Sequence, residues 1–209
     1  MIDVYAFATP NSLKIPIALE ELELPYRLIP VNLRNGEHKS VDFIAMNANA
    51  KIPVVVDRTV PEAAPVTISE SGAILLYLAE KAGRLLPTTL QLRARVIEEL
   101  FFHAAGLAPA FTSSFFQQIA KSPNAEAVAR AQAEAERTLR VFDTRLGGSK
   151  YVAGEDFTIA DIAHYGWIWR HEAAGVGLGG TPNVKRWFDA VSGRDAVKRA
   201  IARTVALAS

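Results

Sequence analysis

Apolar residues recur along the chain in two rhythms. In residues 1–82, short apolar runs alternate with helical spacing. Ile2–Ala8 is a short run rich in β-branched and aromatic residues and reads as a strand. Thr9-Pro10-Asn11-Ser12 is a turn built from helix N-cap residue types. Ile15, Leu19 and Leu22 then recur at helical spacing, with Pro16 tolerable only in a helix that begins close before it. Tyr26–Val31 reads as a second strand, Asn35-Gly36 as a loop and Val41–Met46 as a short helix. Val54-Val55-Val56 and Val66–Ile68 read as strands, and Ala73–Ala82 as a helix opened by Glu70-Ser71-Gly72 and closed by Gly83. The predicted order, β-α-β-α-β-β-α, marks an α/β unit.

After a break around Pro87, the spacing is helical throughout. Val128, Gln132, Ala135, Leu139, Phe142 and Leu146 step by four and three along one face of a long helix, stopped at Gly147-Gly148. Thr158 and Asp161 have the spacing of a capping box, and Phe157 is placed to pack on Ile162. Helices are also expected over 183–191 and 195–206. The expected organisation is a unit over 1–83, a linker over 84–90 and an all-helical unit over 91–209.

Composition narrows the chemistry. A net charge of +1 over 209 residues argues against nucleic acid as the main partner. No run of 18 uncharged apolar residues occurs, so no membrane span or membrane partner is expected. The start, Met1-Ile2-Asp3, lacks the positive charge and long apolar run of a secretory signal, so the cytoplasm is the expected location. The chain has no cysteine, which excludes disulfides, thiolate metal sites and a cysteine nucleophile. Sulfur chemistry in this protein requires a sulfur that arrives with a ligand. His103, His164 and His171 show no metal-ligand spacing, and no metal is expected.

Three places carry candidate chemistry. Thr9-Pro10-Asn11 puts hydroxyl and amide donors at the positive end of a helix, where an anion such as a thiolate is stabilised; the alternative is that Asn11 or Ser12 only caps the helix. Ile52-Pro53 precedes a strand. A cis bond there would turn the Ile52 backbone outward to pair with a peptide-like ligand, but the residues by themselves favour trans. Glu70-Ser71 at a helix start offers amides and a hydroxyl for a carboxylate and a carboxylate for an ammonium, the two groups of an α-amino acid; the alternative is plain capping. Tyr5 lies inside its strand and reads as packing.

This order of a donor turn, X-Pro before a strand, Glu-Ser at a helix start and a helical second half resembles the glutathione transferase superfamily over essentially the whole chain. Val152–Ile162 is similar to that family's helical-domain folding motif. Thr9-Pro10-Asn11, Asn49–Pro53, Glu70–Ala79 and Ala105–Pro109 are similar to one branch, the bacterial nu class. The resemblance implies a thioredoxin-like N-terminal domain, an all-helical C-terminal domain and a homodimer. It implies that Glu70 and Ser71 hold the γ-glutamyl head of glutathione, that Ile52 pairs with its cysteinyl backbone beside a cis Pro53, and that Lys51 with His38 or Lys39 holds its glycine carboxylate. Thr9 and Asn11 would act on the sulfur, with Ser12 as the alternative to Asn11, and Arg130 would help bind two glutathiones or one glutathione disulfide. Phe102, Thr112 and Phe115 would line the substrate pocket.

The implied activity is glutathione-dependent reduction of disulfides. Ala105 and Ala108 replace glycines of the branch's motif, and Phe111–Phe116 lacks the polar residues usual there; the more apolar pocket this implies suits a hydrophobic electrophile, so conjugation is the alternative. A non-catalytic glutathione-binding or regulatory protein is the third reading.

Overall fold

The computed structural model describes residues 1–60 and 64–208, which form two compact units: residues 1–60 and 64–84 with 194–208, and residues 85–193. The expected split gave residues 91–209 to one unit; by packing, the last helix belongs with the first.

The first unit is a four-stranded sheet in the order β2-β1-β3-β4, made of β1 (Ile2–Ala6), β2 (Tyr26–Pro30), β3 (Val54–Asp57) and β4 (Val66–Ser69). β1 runs parallel to β2 and antiparallel to β3, and β4 is antiparallel to β3. All four residues of β3 are buried, as expected for a central strand with both faces covered. The helices are α1 (Pro10–Leu22), α2 (Val41–Met46) and α3 (Ser71–Ala82). The expected β-α-β-α-β-β-α order holds, with the first strand ending at Ala6. Gly83 closes α3 in the left-handed conformation, φ +64°, its N–H donating to the Ala79 and Glu80 carbonyls. Tyr5 packs against the cluster of Val31, Phe43 and Val54, the packing role read from the sequence.

α1 is buried from Ser12 to Leu19 because it packs against both α3 and α9 (Asp195–Val205). Ion pairs fix α9 in place. Arg194 grips Glu21 through two hydrogen bonds of 2.6 and 2.7 Å, and Arg199 and Arg203 reach Glu20 at 2.7 and 3.0 Å. A bidentate guanidinium–carboxylate pair fixes orientation as well as distance. At the far end of β3, the buried Asp57 carboxylate accepts from the Thr59 amide and hydroxyl, both at 2.7 Å, from the Tyr77 hydroxyl at 2.8 Å and from Lys81 at 3.0 Å. Burial alone would raise its pKa, but these donors overcome that and hold it at about 2.

The second unit is helical: α4 (Leu90–Phe102), α5 (Ala108–Gln118), α6 (Ala125–Leu146), α7 (Ile159–Ile168) and α8 (Pro182–Ser192). α4 and α5 are joined by one wider π turn, His103–Leu107, just before Pro109. Proline has no N–H to give the carbonyl four residues back, and a wider turn accommodates that gap. The buried stripe of α6 is Ala131, Ala135, Thr138, Leu139, Phe142 and Leu146. It lies one residue round from the expected stripe at its start: half-buried Gln132 hydrogen-bonds Glu136 along the helix at 3.1 Å.

Every residue of α7 is buried, and the capping box forms as predicted. The Asp161 carboxylate accepts from the Thr158 amide (2.9 Å), the Val152 amide (3.0 Å), the Thr158 hydroxyl (3.2 Å) and the Trp187 indole N–H (2.8 Å). Burial pushes this carboxyl up to about 6, against the donors that favour its charged form. Phe157 packs edge-on against Tyr151, ring centres 5.5 Å apart.

Asp161→Ala therefore strands several buried donors at once. A loss of about 3–5 kcal/mol is expected, read as a lower urea midpoint with an unchanged slope. Asp161→Asn, which keeps one acceptor oxygen, is expected to lose less.

Candidate active site

Within the first unit, the strand-to-helix turn, the segment before β3 and the start of α3 meet at one pocket. It is lined by Asn11, Asn47, Lys51, Ile52, Pro53, Glu70 and Ser71. Six of the predicted site residues, Asn11, Lys51, Ile52, Pro53, Glu70 and Ser71, thus share one wall. Its enclosed part is about 50 Å³, room for a polar head group, with any larger ligand lying across it.

The elements explain the placement. Thr9 is the N-cap of α1: its hydroxyl accepts from the Ser12 amide at 3.3 Å and donates to Ser12 Oγ at 3.1 Å. Ser12 itself is fully buried, its Oγ also accepting from the Phe7 amide at 3.4 Å. Burial removes Ser12 from consideration as the residue that meets a ligand, and the cap is Thr9 rather than the expected Asn11 or Ser12. Asn11, one residue past the helix start, lines the pocket.

The Ile52-Pro53 bond is cis, not the trans form favoured by the residues alone. The segment before it is held by Asn47, which donates to the Lys51 carbonyl at 2.7 Å and accepts from the Asn49 amide at 3.0 Å. Asn47 is a pocket residue the sequence reading did not single out; an Asx residue accepting from the amide two positions on was its only local signal. His38 and Lys39 lie in a single 3₁₀ turn, Glu37–Lys39, and do not line the pocket; Lys39 is exposed.

Glu70 caps α3 in a left-handed backbone conformation, φ +68° and ψ +113°, with no side-chain bond to its own helix. A non-glycine residue there is strained by about 1–3 kcal/mol, a cost that packing must offset and that clusters at functional sites. The consequence is that the Glu70 side chain lines the pocket beside Ser71, at the positive end of α3.

Under this wall lies a residue missed in the sequence. Lys14, on α1, is 1% exposed. Its Nζ donates to Asn11 Oδ1 at 2.8 Å and to Ser71 Oγ at 3.2 Å. Burial lowers its pKa to about 7, opposed by the attraction of Glu70. The available signal was that Lys14 is the only charged residue in the otherwise apolar run Leu13–Leu19.

The remaining predicted residues belong to the helical unit. Arg130 lines a cleft of about 250 Å³ with Ala110, Ser113, Gln117 and Glu134. Phe102 lies under the Arg145 guanidinium, 4.4 Å from the ring centre. The Thr112 hydroxyl donates to the Ala108 carbonyl at 2.6 Å, and Phe115 packs edge-on against Phe116. A larger cleft of about 470 Å³ is lined by Arg95, Glu98, Glu99 and Arg145, whose charges pair with one another. Among the described residues, no three His, Cys, Asp or Glu side chains converge as a metal site would need, and no helix is long and apolar enough to cross a membrane.

Comparison with known proteins gives the following. A family description, "Glutathione S-transferase, N-terminal domain", matches residues 2–80, and "Glutathione S-transferase, C-terminal domain" matches residues 101–195. The disulfide-bond oxidoreductase YfcG of Escherichia coli (strain K12) is 38% identical over 203 residues, covering 96% of this chain and 94% of its own. A glutathione transferase family member from Pseudomonas fluorescens pf-5, solved with two glutathione bound, superposes with a TM-score of 0.90 at 35% identity, over 96% of this chain and 92% of its own. A glutathione transferase from Pseudomonas putida, solved with one glutathione disulfide bound per subunit, gives a TM-score of 0.91 at 33% identity, over 96% and 90%.

Lys14 also sets a stability test. Between pH about 7 and 10.5 the folded chain binds fewer protons at this residue than the unfolded chain, so folding gains stability as pH rises across that window. Lys14→Met removes the buried charge. It is expected to melt higher than the wild type at pH 6, by about 2–4 °C for each kcal/mol recovered, with the difference shrinking as pH rises past 7. Thermal melts at pH 6, 8 and 10 check this.

Proposed function

This chain belongs to the glutathione S-transferase family, and on that premise we propose that it is an enzyme that reduces disulfides with a bound glutathione thiolate. One observation carries the reading. A chain with no cysteine brings together, in one pocket, a carboxylate, a helix-start hydroxyl, an amide and an X-Pro backbone edge. These match the parts of a tripeptide that carries its own sulfur.

In this reading Glu70 receives the γ-glutamyl ammonium, while Ser71 and the first amides of α3 receive its carboxylate. Ile52, beside Pro53, pairs with the cysteinyl backbone. Lys51, with His38 or Lys39, holds the glycine carboxylate. Asn11 donates to the sulfur, with Thr9 holding the turn that presents it. Arg130 takes part in holding a second glutathione, and Phe102, Thr112 and Phe115 contribute to the acceptor's pocket. The protein is a cytoplasmic homodimer that needs no metal.

The chemistry follows from the donors. A free thiol has a pKa of about 8.5, and a helix start with a fixed amide donor favours the thiolate. That thiolate attacks one sulfur of the substrate disulfide. The S–S bond breaks, its electron pair leaves on the second sulfur, and a mixed disulfide remains. A second glutathione thiolate attacks the glutathione sulfur of that mixed disulfide, yielding glutathione disulfide and releasing the other substrate thiol. With no protein thiol available, both reducing sulfurs come from glutathione. The relatives solved with two glutathiones and with glutathione disulfide support this count.

A second reading, conjugation to a hydrophobic electrophile by the same thiolate, is favoured by the aromatic pair at the end of α5, where Phe116 is 60% exposed beside Phe115.

Glu70→Ala is expected to lose the calorimetric heat of binding that the wild type shows with glutathione and glutathione disulfide. No heat from the wild type with either would overturn the proposal. Asn11→Ala is expected to keep binding within a few-fold and lose at least about tenfold in reduction of a small mixed disulfide. Faster turnover of a chlorinated aromatic than of the mixed disulfide would favour conjugation. Binding without turnover of either would leave a binding protein.

A further inference from the structure

Two pocket residues have their hydrogen-bonding polarity decided from below. A protonated amine carries three hydrogens and no acceptor. The Asn11 atom 2.8 Å from Lys14 Nζ is therefore the amide oxygen, which leaves the Asn11 NH₂ as the end available to an occupant. Ser71 Oγ, 3.2 Å from the same nitrogen, accepts there too, which leaves its O–H free to donate. Both residues line the pocket, and Lys14 does not. Asn11 stands at the opening of α1 and Ser71 at the opening of α3, so one cation reaches the groups at two separate helix starts.

We propose that Lys14 is a positioning residue of the glutathione site: from beneath, its ammonium turns Asn11 and Ser71 into hydrogen-bond donors, one toward the sulfur and one toward the γ-glutamyl carboxylate, so that each of these two groups favours an anion. The inference rests on the reading of this pocket as a glutathione site and adds the group that sets its polarity. Lys14 also places a positive charge behind the Asn11 amide, which favours thiolate over thiol.

The charges around Lys14 are consistent with this role. Glu70, from the start of α3, is the carboxylate whose attraction favours the ammonium. Lys51 is a cation in the pocket lining itself. On α9, the other helix packed on α1, Arg194, Arg199 and Arg203 are paired with Glu20 and Glu21 at the opposite end of α1. In the sheet, Asp3 is paired with Arg27 and Arg58, and Asp57 with Lys81. At pH about 7 the amine sits near its own midpoint, and an anionic occupant pulls it to the charged form.

The test titrates the thiol of glutathione bound to the wild type and to Lys14→Met, by thiolate absorbance in the far ultraviolet, alongside calorimetry with S-methylglutathione, which has no ionisable thiol. Lys14→Met is expected to raise the bound thiol's pKa by about one unit, leaving about tenfold less thiolate below it, and to weaken S-methylglutathione several-fold. A merely structural lysine would not move the thiol titration. If the wild type binds glutathione and the thiol of Lys14→Met titrates where it does in the wild type, the inference falls and the glutathione reading stands. If the wild type binds no glutathione, that reading falls first. Lys14→Gln, which still donates but carries no charge, covers the case in which the methionine variant does not fold. It is expected to raise the thiol pKa while losing less affinity than the methionine variant, and an unchanged pKa there also overturns the inference.

Discussion

A buried amine must be surrounded by acceptors, and at Lys14 the acceptors belong to the candidate site itself. α1 is covered by α3 on one side and α9 on the other, so a lysine in its middle has no route to solvent. Its ammonium is satisfied by Asn11 from its own helix and Ser71 from α3. The positions of these two groups thus follow from how α1 packs on α3. Leaving a charge of this kind unpaired in an interior is far more unfavourable than losing a surface contact. The pocket wall and the packing of the first unit are therefore the same interaction seen from two sides.

The strained Glu70 belongs to this arrangement. A helix N-cap ordinarily turns its side chain back onto the next amides. Glu70 does not, and its backbone adopts a conformation that disfavours any residue but glycine. What results is a carboxylate at the pocket rather than on the helix, close enough to Lys14 to favour its charge. The local conformation is unfavourable by itself and persists only where the surrounding structure over-determines it.

The absence of cysteine gives this wall its meaning. A thioredoxin-like sheet that carries no thiol cannot exchange disulfides by itself. It can present donors to a sulfur that another molecule supplies. In the proposed function, the chemistry of such a scaffold lies in recognition of the carrier and in control of its protonation, tasks that this reading gives to Glu70, Ser71, Asn11 and the charge behind them.

What the amino-acid order determined by itself was local: the rhythm of the elements and their caps. The helix rhythms, the Thr9 cap, the Thr158–Asp161 capping box and the Gly83 terminator all rest on bonds spanning three or four positions, so pattern alone carries them, while the strands show as short apolar, β-branched runs. The two ends of the site were legible for the same reason: a donor turn and a Glu-Ser helix start are local signatures. Tertiary structure decided the rest. Lys14 shows in the sequence only as a lone charge in an apolar run, and its role as a partner of the pocket wall depends on Ser71, 57 residues away. Ser12 reads as a candidate donor until burial removes it. The last helix reads as part of the helical half until Arg194 meets Glu21 across 173 residues. Burial and long-range charge pairing depend on which surfaces end up covered, and no window of neighbouring residues contains that information.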